Sequence, residues 1–273
     1  MAILIISIVI GVIILLWLFA IMPSIRKNEL VERLGTTLFA HRGLHDANSL
    51  VPENSISAFK KACQYGYGIE LDVHLSKDGT PIVMHDNTVD RTTNGHGNIC
   101  ELTDKEIASL YLKGTTEKVP FLKEVLNIVD GKVPLLIELK SDGSNRNKLC
   151  EQCFKLLDNY KGDFIVESFD PRILRWVRKN RKNVGRGQLA TGTGVSPNTL
   201  KTILKHLLLN FLSRPHFIAY DSRYVNKTLA PNICKKVFGS KLYVWTITNK
   251  ADLHKFSSKG VSCIFEGFKP NDN

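Results

Sequence analysis

The chain has 273 residues, 43% hydrophobic and 23% charged, with a formal net charge of +11. That suits one large domain, without internal repeats or low-complexity tracts, whose surface attracts anions such as lipid headgroups or phosphorylated substrates. The basic residues are spread out, as in 172–186 and 201–205, with no aromatic stacking pattern beside them, which argues against nucleic acid. Cysteines 63, 100, 150, 153, 234 and 263 are scattered, and the one close pair, Cys150 and Cys153, has no second pair or His cluster beside it. This argues against a zinc site or a disulfide framework and suits a reducing compartment.

Residues 1–22 contain no charged side chain. As a helix they reach about 30 Å, enough to cross a hydrocarbon core. No basic segment precedes the run, it is long for a leader, and Ile21-Met22-Pro23-Ser24 is a poor cleavage site. The expectation is an uncleaved single-pass anchor in the cell membrane. Arg26, Lys27 and Arg33 follow it, so the positive-inside rule puts the large domain on the cytoplasmic side. Residues 23–35 read as a linker and 36–273 as the globular domain.

Thr37–Ala40 reads as a strand ending in His41-Arg42-Gly43. A loop with turn residues Asp46, Asn48, Ser49 and Pro52 follows, and Asn54 is placed to cap a helix over 55–65. Residues 68–74 alternate: Ile69, Leu71 and Val73 fall on one face, and Glu70, Asp72 and His74 on the other. Ser76–Gly79 is a turn and Pro81–Met84 a strand, with no room for a helix between them. The two strands should pair antiparallel and return His85 toward Glu70 and Asp72. Thr103 caps a helix running to about 111, and another covers 121–129. From there β and α alternate: strands 134–138, 164–168, 187–190, 216–221, 242–246 and 261–265, with helices 146–160, 171–181, 196–212, 224–238 and 250–258 between them.

Leaving out the returning strand gives eight strands, which points to a (β/α)8 TIM barrel with a hairpin-plus-helices insertion over about 75–133. An open doubly wound sheet is the runner-up, weakened by the lack of a Gly-rich phosphate loop after any strand. Functional residues of such barrels lie at the C-terminal ends of the strands. Those ends deliver His41, Arg42, Glu70, Asp72, Glu138, Lys140 and Trp245, and the hairpin delivers His85. Taken singly each has a bland reading, such as a strand cap or a surface ion pair. Together they form a set. Three carboxylates, Glu70, Asp72 and Glu138, suit a hard divalent cation. Arg42 and Lys140 suit a phosphate. His41 and His85 suit acid and base work near neutral pH. Glu53 lies close enough to orient Arg42 or a metal-bound water. His45, His74 and His96 read as supporting or structural. A metal, phosphate clamps and an acid/base pair are the parts of phosphodiester hydrolysis.

The segments His41-Arg42-Gly43, Pro52-Glu53-Asn54, Glu70-Leu71-Asp72-Val73, Lys77-Asp78-Gly79, Val83-Met84-His85-Asp86, Arg91-Thr92, Ile137-Glu138-Leu139-Lys140, Ser168-Phe169-Asp170 and Val244-Trp245-Thr246 together resemble the glycerophosphodiester phosphodiesterase family, over roughly residues 37–268. The resemblance implies a barrel with an insertion, and divalent-metal ligands at Glu70, Asp72 and Glu138, commonly for calcium or magnesium. It also implies an acid/base pair at His41 and His85, phosphate contacts at Arg42 and Lys140, and an aromatic wall at Trp245 beside the glycerol. The substrate it implies is a glycerophosphodiester, cleaved to sn-glycerol 3-phosphate and an alcohol in lipid metabolism. The chain departs from the pattern at its last strand, where a Thr-Asp is usual and Phe265-Glu266 stands. The anchor and the basic balance keep open a lysophospholipid or polyglycerolphosphate substrate. A catalytically silent, membrane-tethered polyanion-binding protein is the alternative from another class.

Overall fold

The computed structural model describes residues 1–46, 50–192 and 199–271. Its strands are β1 (Leu38–Ala40), β2 (Gly68–Leu75), β3 (Pro81–Val83), β4 (Leu135–Leu139), β5 (Phe164–Ser168), β6 (Gly185–Ala190), β7 (Phe217–Asp221), β8 (Lys241–Ile247) and β9 (Ser262–Phe265). Its helices are α1 (Ala2–Ile21), α2 (Glu29–Arg33), α3 (Ile56–Tyr65), α4 (Asp104–Ser109), α5 (Leu122–Val129), α6 (Arg146–Leu157), α7 (Pro171–Asn180), α8 (Thr199–Lys205), α9 (Asn210–Ser213), α10 (Leu229–Lys236) and α11 (Lys250–Ser257). All strands but β3 pair in parallel, and β1 bonds to both β2 and β9, which closes an eight-stranded barrel. β3 returns antiparallel along β2, with Val83 opposite Val73.

Period-two alternation gives each strand two jobs. Outward residues such as Leu71, Ile137 and Val166 pack under helices, against side chains including Phe59 of α3, Val125 of α5 and Phe154 of α6. Inward residues Phe39, Leu136, Ile165, Phe217, Tyr243 and Ile264 fill the lower barrel. Gly187 gives Phe217 its space, since a Cβ there would stand 2.0 Å from the ring. The insertion between β2 and β4 carries its own small core of Ile82, Met84, Val89, Ile99, Ile107, Leu112 and Val119.

Several sequence-based expectations shift. Residues 23–35 are no linker. They contain α2, whose Val31, with the following Leu34, is buried in the barrel interior, and the Tyr243 hydroxyl donates to the Leu34 carbonyl at 3.1 Å. The run is too short to show a helical period, so its role as a floor was not visible. Ser55, not Asn54, caps α3, its hydroxyl oxygen accepting from Ala58 N–H at 3.1 Å. The helix expected over 196–212 is α8 and α9, interrupted at Leu207 with φ of 57°, and the Tyr220 hydroxyl takes up the freed Lys205 carbonyl. Its first residues, 196–198, lie outside the described residues, as do Asn48 and Ser49. The helix expected from 224 starts as a 3₁₀ turn, Val225–Lys227, before α10. Pro231 has no N–H for the Lys227 carbonyl, so a continuous helix would lose a bond there.

Candidate active site

Two residues above the apolar floor, the inward line of the strands turns polar. Phe39 is followed by His41, Gly68 by Glu70 and Asp72, Leu136 by Glu138 and Lys140, Ile165 by Glu167, Tyr243 by Trp245, and Ile264 by Glu266. Asp72 and Glu138 are direct register partners on β2 and β4, so parallel pairing alone sets their carboxylates side by side. Glu70, Asp72 and Glu138 are all buried, and one oxygen from each lies within 4.8 Å of the others.

Their electrostatics favour a cation. Burial pushes Glu70 well above the usual carboxylate range, with the Asp72 charge adding to it. Burial pushes Glu138 up to about 7 against the pull of Lys140. Asp72 is held ionised, because Lys140, His85 and Arg42 together outweigh its burial. The Lys140 ammonium stands 3.1 Å from Asp72 Oδ1 and 3.2 Å from Glu138 Oε2. Its approach to Asp72 Oδ1 is off hydrogen-bond geometry, and that buried oxygen has no donor. Three converging carboxylates that cannot all ionise, with one orphaned oxygen, fit a divalent cation that would let them do so.

Around this cluster each candidate side chain is fastened by another. The Arg42 backbone N–H donates to Glu70 Oε2 at 2.8 Å, and its guanidinium Nη1 donates to Glu53 Oε1 at 2.8 Å. Arg42 Nε stands 3.8 Å from Asp72 Oδ2 and is buried without a hydrogen-bond partner. Glu53 also accepts two bonds from Arg91, at 2.9 and 2.7 Å, and Arg91 Nε donates to Asp86 at 2.6 Å. Asp86 in turn meets His85 Nδ1 at 2.7 Å. Burial pulls His85 below the usual imidazole range against the Asp72 charge and, more weakly, the Asp86 hydrogen bond. His41 Nδ1 lies 2.5 Å from Glu266 Oε2, and its Nε2 faces Glu70 Oε2 at 4.0 Å. Glu266 is held far below the usual carboxylate range by its hydrogen bond to His41, with His45 Nε2 nearby at 3.8 Å. His74 is buried beside the site, where its Nε2 meets the His85 carbonyl at 3.1 Å, so it fixes the hairpin. His96 stays outside, paired with Asp90.

A cavity of about 410 Å³ opens beside these groups, lined by His85, Glu138, Lys140, Ser168, Phe169 and Asp170, among others. Trp245 stands edge-on to Phe169, with centroids 5.7 Å apart, and its buried indole Nε1–H has no partner.

Four contributors were not assigned from the sequence. Glu266 appeared only as a departure at the last strand, yet it is the partner of His41. Asn54 was taken for a cap. It is instead 3% exposed, and its amide donates to Asp72 Oδ2 at 2.8 Å. Asp86 orients His85. Glu167 of β5, 1% exposed, is the register partner of Glu138 on β4 and has an unpartnered Oε2. Continuing each inward line two residues past its apolar member finds Glu167 and Glu266. No local signal finds Asn54.

The family model described as the glycerophosphoryl diester phosphodiesterase family matches residues 41–268. The chain belongs to this family. A glycerophosphodiester phosphodiesterase of Caldanaerobacter subterraneus is 36% identical over 242 residues, covering 84% of this chain and 93% of that protein. Human glycerophosphodiester phosphodiesterase 1 is 31% identical over 178 residues, 61% of this chain, and the match spans only 53% of the human protein. In fold, the chain resembles an Oleispira antarctica phosphodiesterase solved with the product sn-glycerol-3-phosphate. The TM-score is 0.69 at 23% identity, covering 84% of this chain and 92% of that one. By family the chain is a phosphoric diester hydrolase.

Proposed function

We propose that the chain hydrolyses glycerophosphodiesters to sn-glycerol 3-phosphate and an alcohol, in lipid metabolism, with the mouth of the barrel as its active site. The observation that carries this reading is the buried triad Glu70, Asp72 and Glu138, flanked by Arg42 and Lys140 and by two histidines that each rest on a carboxylate.

The triad would hold calcium or magnesium, which when bound supplies positive charge against the phosphate oxygens. Arg42, fixed by Glu53, and Lys140 donate hydrogen bonds to those oxygens and offset the charge that builds as the diester is attacked. His41 keeps its Nδ1 proton on Glu266, which leaves the Nε2 lone pair facing the triad. His85 rests its Nδ1 on Asp86. One imidazole takes the proton of the attacking hydroxyl or water, and the other returns a proton to the departing alkoxide. The indole N–H of Trp245, buried without a partner, suits a glycerol hydroxyl, and its ring with Phe169 walls off the carbon skeleton.

α1 is long and apolar enough to cross a membrane. We read it as a retained single-pass anchor with the barrel, residues 36–273 together with the α2 floor, on the cytoplasmic side. Release of glycerol 3-phosphate from glycerophosphocholine tests the activity. It should need a divalent cation, stop on chelation and be lost in Glu70→Ala. Full turnover in a folded Glu70→Ala protein would refute the assignment.

A further inference from the structure

The C-terminal end of α1 is built into the barrel. The large apolar residues from Ile3 to Leu16 are exposed, whereas Ile21 is fully buried, and Trp17 and Leu18 pack on the outer core. The last turn of α1 has no basic residue, and the barrel supplies its caps. Arg214 Nη1 donates to the carbonyls of Phe19 at 3.1 Å and Met22 at 2.7 Å, and its guanidinium lies 4.6 Å from the Phe19 ring centroid. Asn210, 1% exposed, donates to the Ile21 carbonyl at 2.8 Å. These bonds meet the orphan carbonyls of a helix end and complement its dipole. A chain cut after residue 22 would strand the buried Asn210 amide and empty the Ile21 position, both of which cost stability.

All these contacts lie at the N-terminal end of the barrel. The Ser24 N–H donates to the Pro215 carbonyl at 2.8 Å, just before β7 begins. Barrel helices run back to this end, so their last turns bring cations here. Arg178 and Lys179 close α7, Lys182 follows it, and Lys236 closes α10. These four and Arg26 are exposed. Lys27 is already shared with Glu32. Between the cations stand exposed apolar side chains: Ile25, Phe211 and Val237, at 81%, 36% and 66%. Mixed cationic and apolar groups around the root of a spanning helix match a headgroup layer that is anionic at its surface.

We propose that this face rests on an anionic bilayer around a retained α1, with the mouth opening away from the lipid onto diesters dissolved in the adjoining water. A five-residue strand such as β7 separates this rim from the mouth by about 17 Å. The phosphodiester of a lysolipid embedded in the same leaflet lies at headgroup level, below the reach of Asp72 and His85. This narrows the substrate class of the preceding section and rests on its reading of the mouth as the active site.

The full chain in phosphatidylglycerol-rich vesicles is the material for the test, with phosphatidylcholine vesicles as control. Lysine labelling read by mass spectrometry should slow roughly fivefold at Lys179, Lys182 and Lys236 on the anionic vesicles. Lys105 and Lys113, in the insertion, should be unaffected. The Arg26→Glu, Lys182→Glu pair should erase the protection at the remaining lysines and leave glycerophosphocholine turnover unchanged. Intact mass should show residues 1–22 present. Equal labelling of both lysine groups overturns the proposal. So does turnover of lysophosphatidylcholine in the host leaflet at a rate comparable with soluble glycerophosphocholine, or a mature chain lacking residues 1–22. Lysine protection without any glycerophosphocholine turnover would uphold the docking and overturn the hydrolase reading instead.

Discussion

At the lower end of the barrel, Leu136, Ile165 and Phe217 close around Val31 and Leu34 of the α2 segment. Two residues further along β4 and β5, the inward positions are Glu138 and Glu167, buried and held toward their neutral forms. The floor gains from every methylene it buries, at roughly 1.5–3 kcal/mol per large side chain. The mouth spends stability on clustered acids. The contrast shows how a barrel tolerates a costly site: the same strands that carry the acids are clamped by apolar packing a few ångströms below.

Changes at the mouth should be the most damaging to activity. Asp72→Asn should lower glycerol 3-phosphate release by at least about 10²–10³-fold. Calorimetry should show weaker divalent-cation binding, and in the metal-free protein the melting temperature should fall, because Lys140 and Arg42 hold Asp72 ionised in the folded state and a neutral Asn cannot answer their charge. A wild-type rate would detach the triad from the chemistry. His41→Ala and His85→Ala should each cost about 10²–10⁴-fold in kcat.

At the floor the balance reverses. Leu34→Ala should lose about 2–5 kcal/mol by denaturant titration while kcat/KM, measured below the transition, stays near wild type. Equal losses of activity and stability would mean that the two ends are not separable.

His216 tests the floor by pH. Burial, then Arg186 and Arg26, pull it from 6.5 down to about 3. The unfolded chain therefore binds the extra proton between those values, and stability should fall as pH drops from about 6.5, by on the order of 3 kcal/mol near the lower end. His216→Gln should flatten that slope, and an unchanged slope would place the acid sensitivity elsewhere.

The smallest effect belongs to a supporting carboxylate of the mouth, Glu266. Glu266→Gln keeps a hydrogen-bond acceptor for His41 but removes the charge. It should cost about 10–10²-fold in kcat/KM and move its pH profile. A cost confined to stability would make Glu266 structural.

Much of the mouth was legible because its signal is local. Glu70 and Asp72 stand two apart on one strand, and Glu138 and Lys140 repeat that spacing on another. The hairpin that returns His85 follows from Ser76–Gly79, which leaves no room for a helix. The partners were less legible because each comes from a distant turn of the chain. Glu266 reaches His41 across 225 residues, and Arg91 joins Asp86 to Glu53 across 38. Asn54 sits in a position that reads equally well as a helix cap, and only its φ of 52° and its bond to Asp72 separate the two uses.

The sequence by itself determined the eight-strand alternation, the inward polar face of β2, the identity of the three carboxylates and the apolar first helix. These depend on residue type and on periods of 2 and 3.6, which a linear chain displays directly. Tertiary structure alone decided that β1 closes on β2 and β9, that the segment around α2 becomes the floor, and that Glu266 holds His41. It also decided that the end of α1 is capped by Arg214 and Asn210. Each of these requires two stretches far apart in the chain to meet, and closure of the barrel is the event that brings them together.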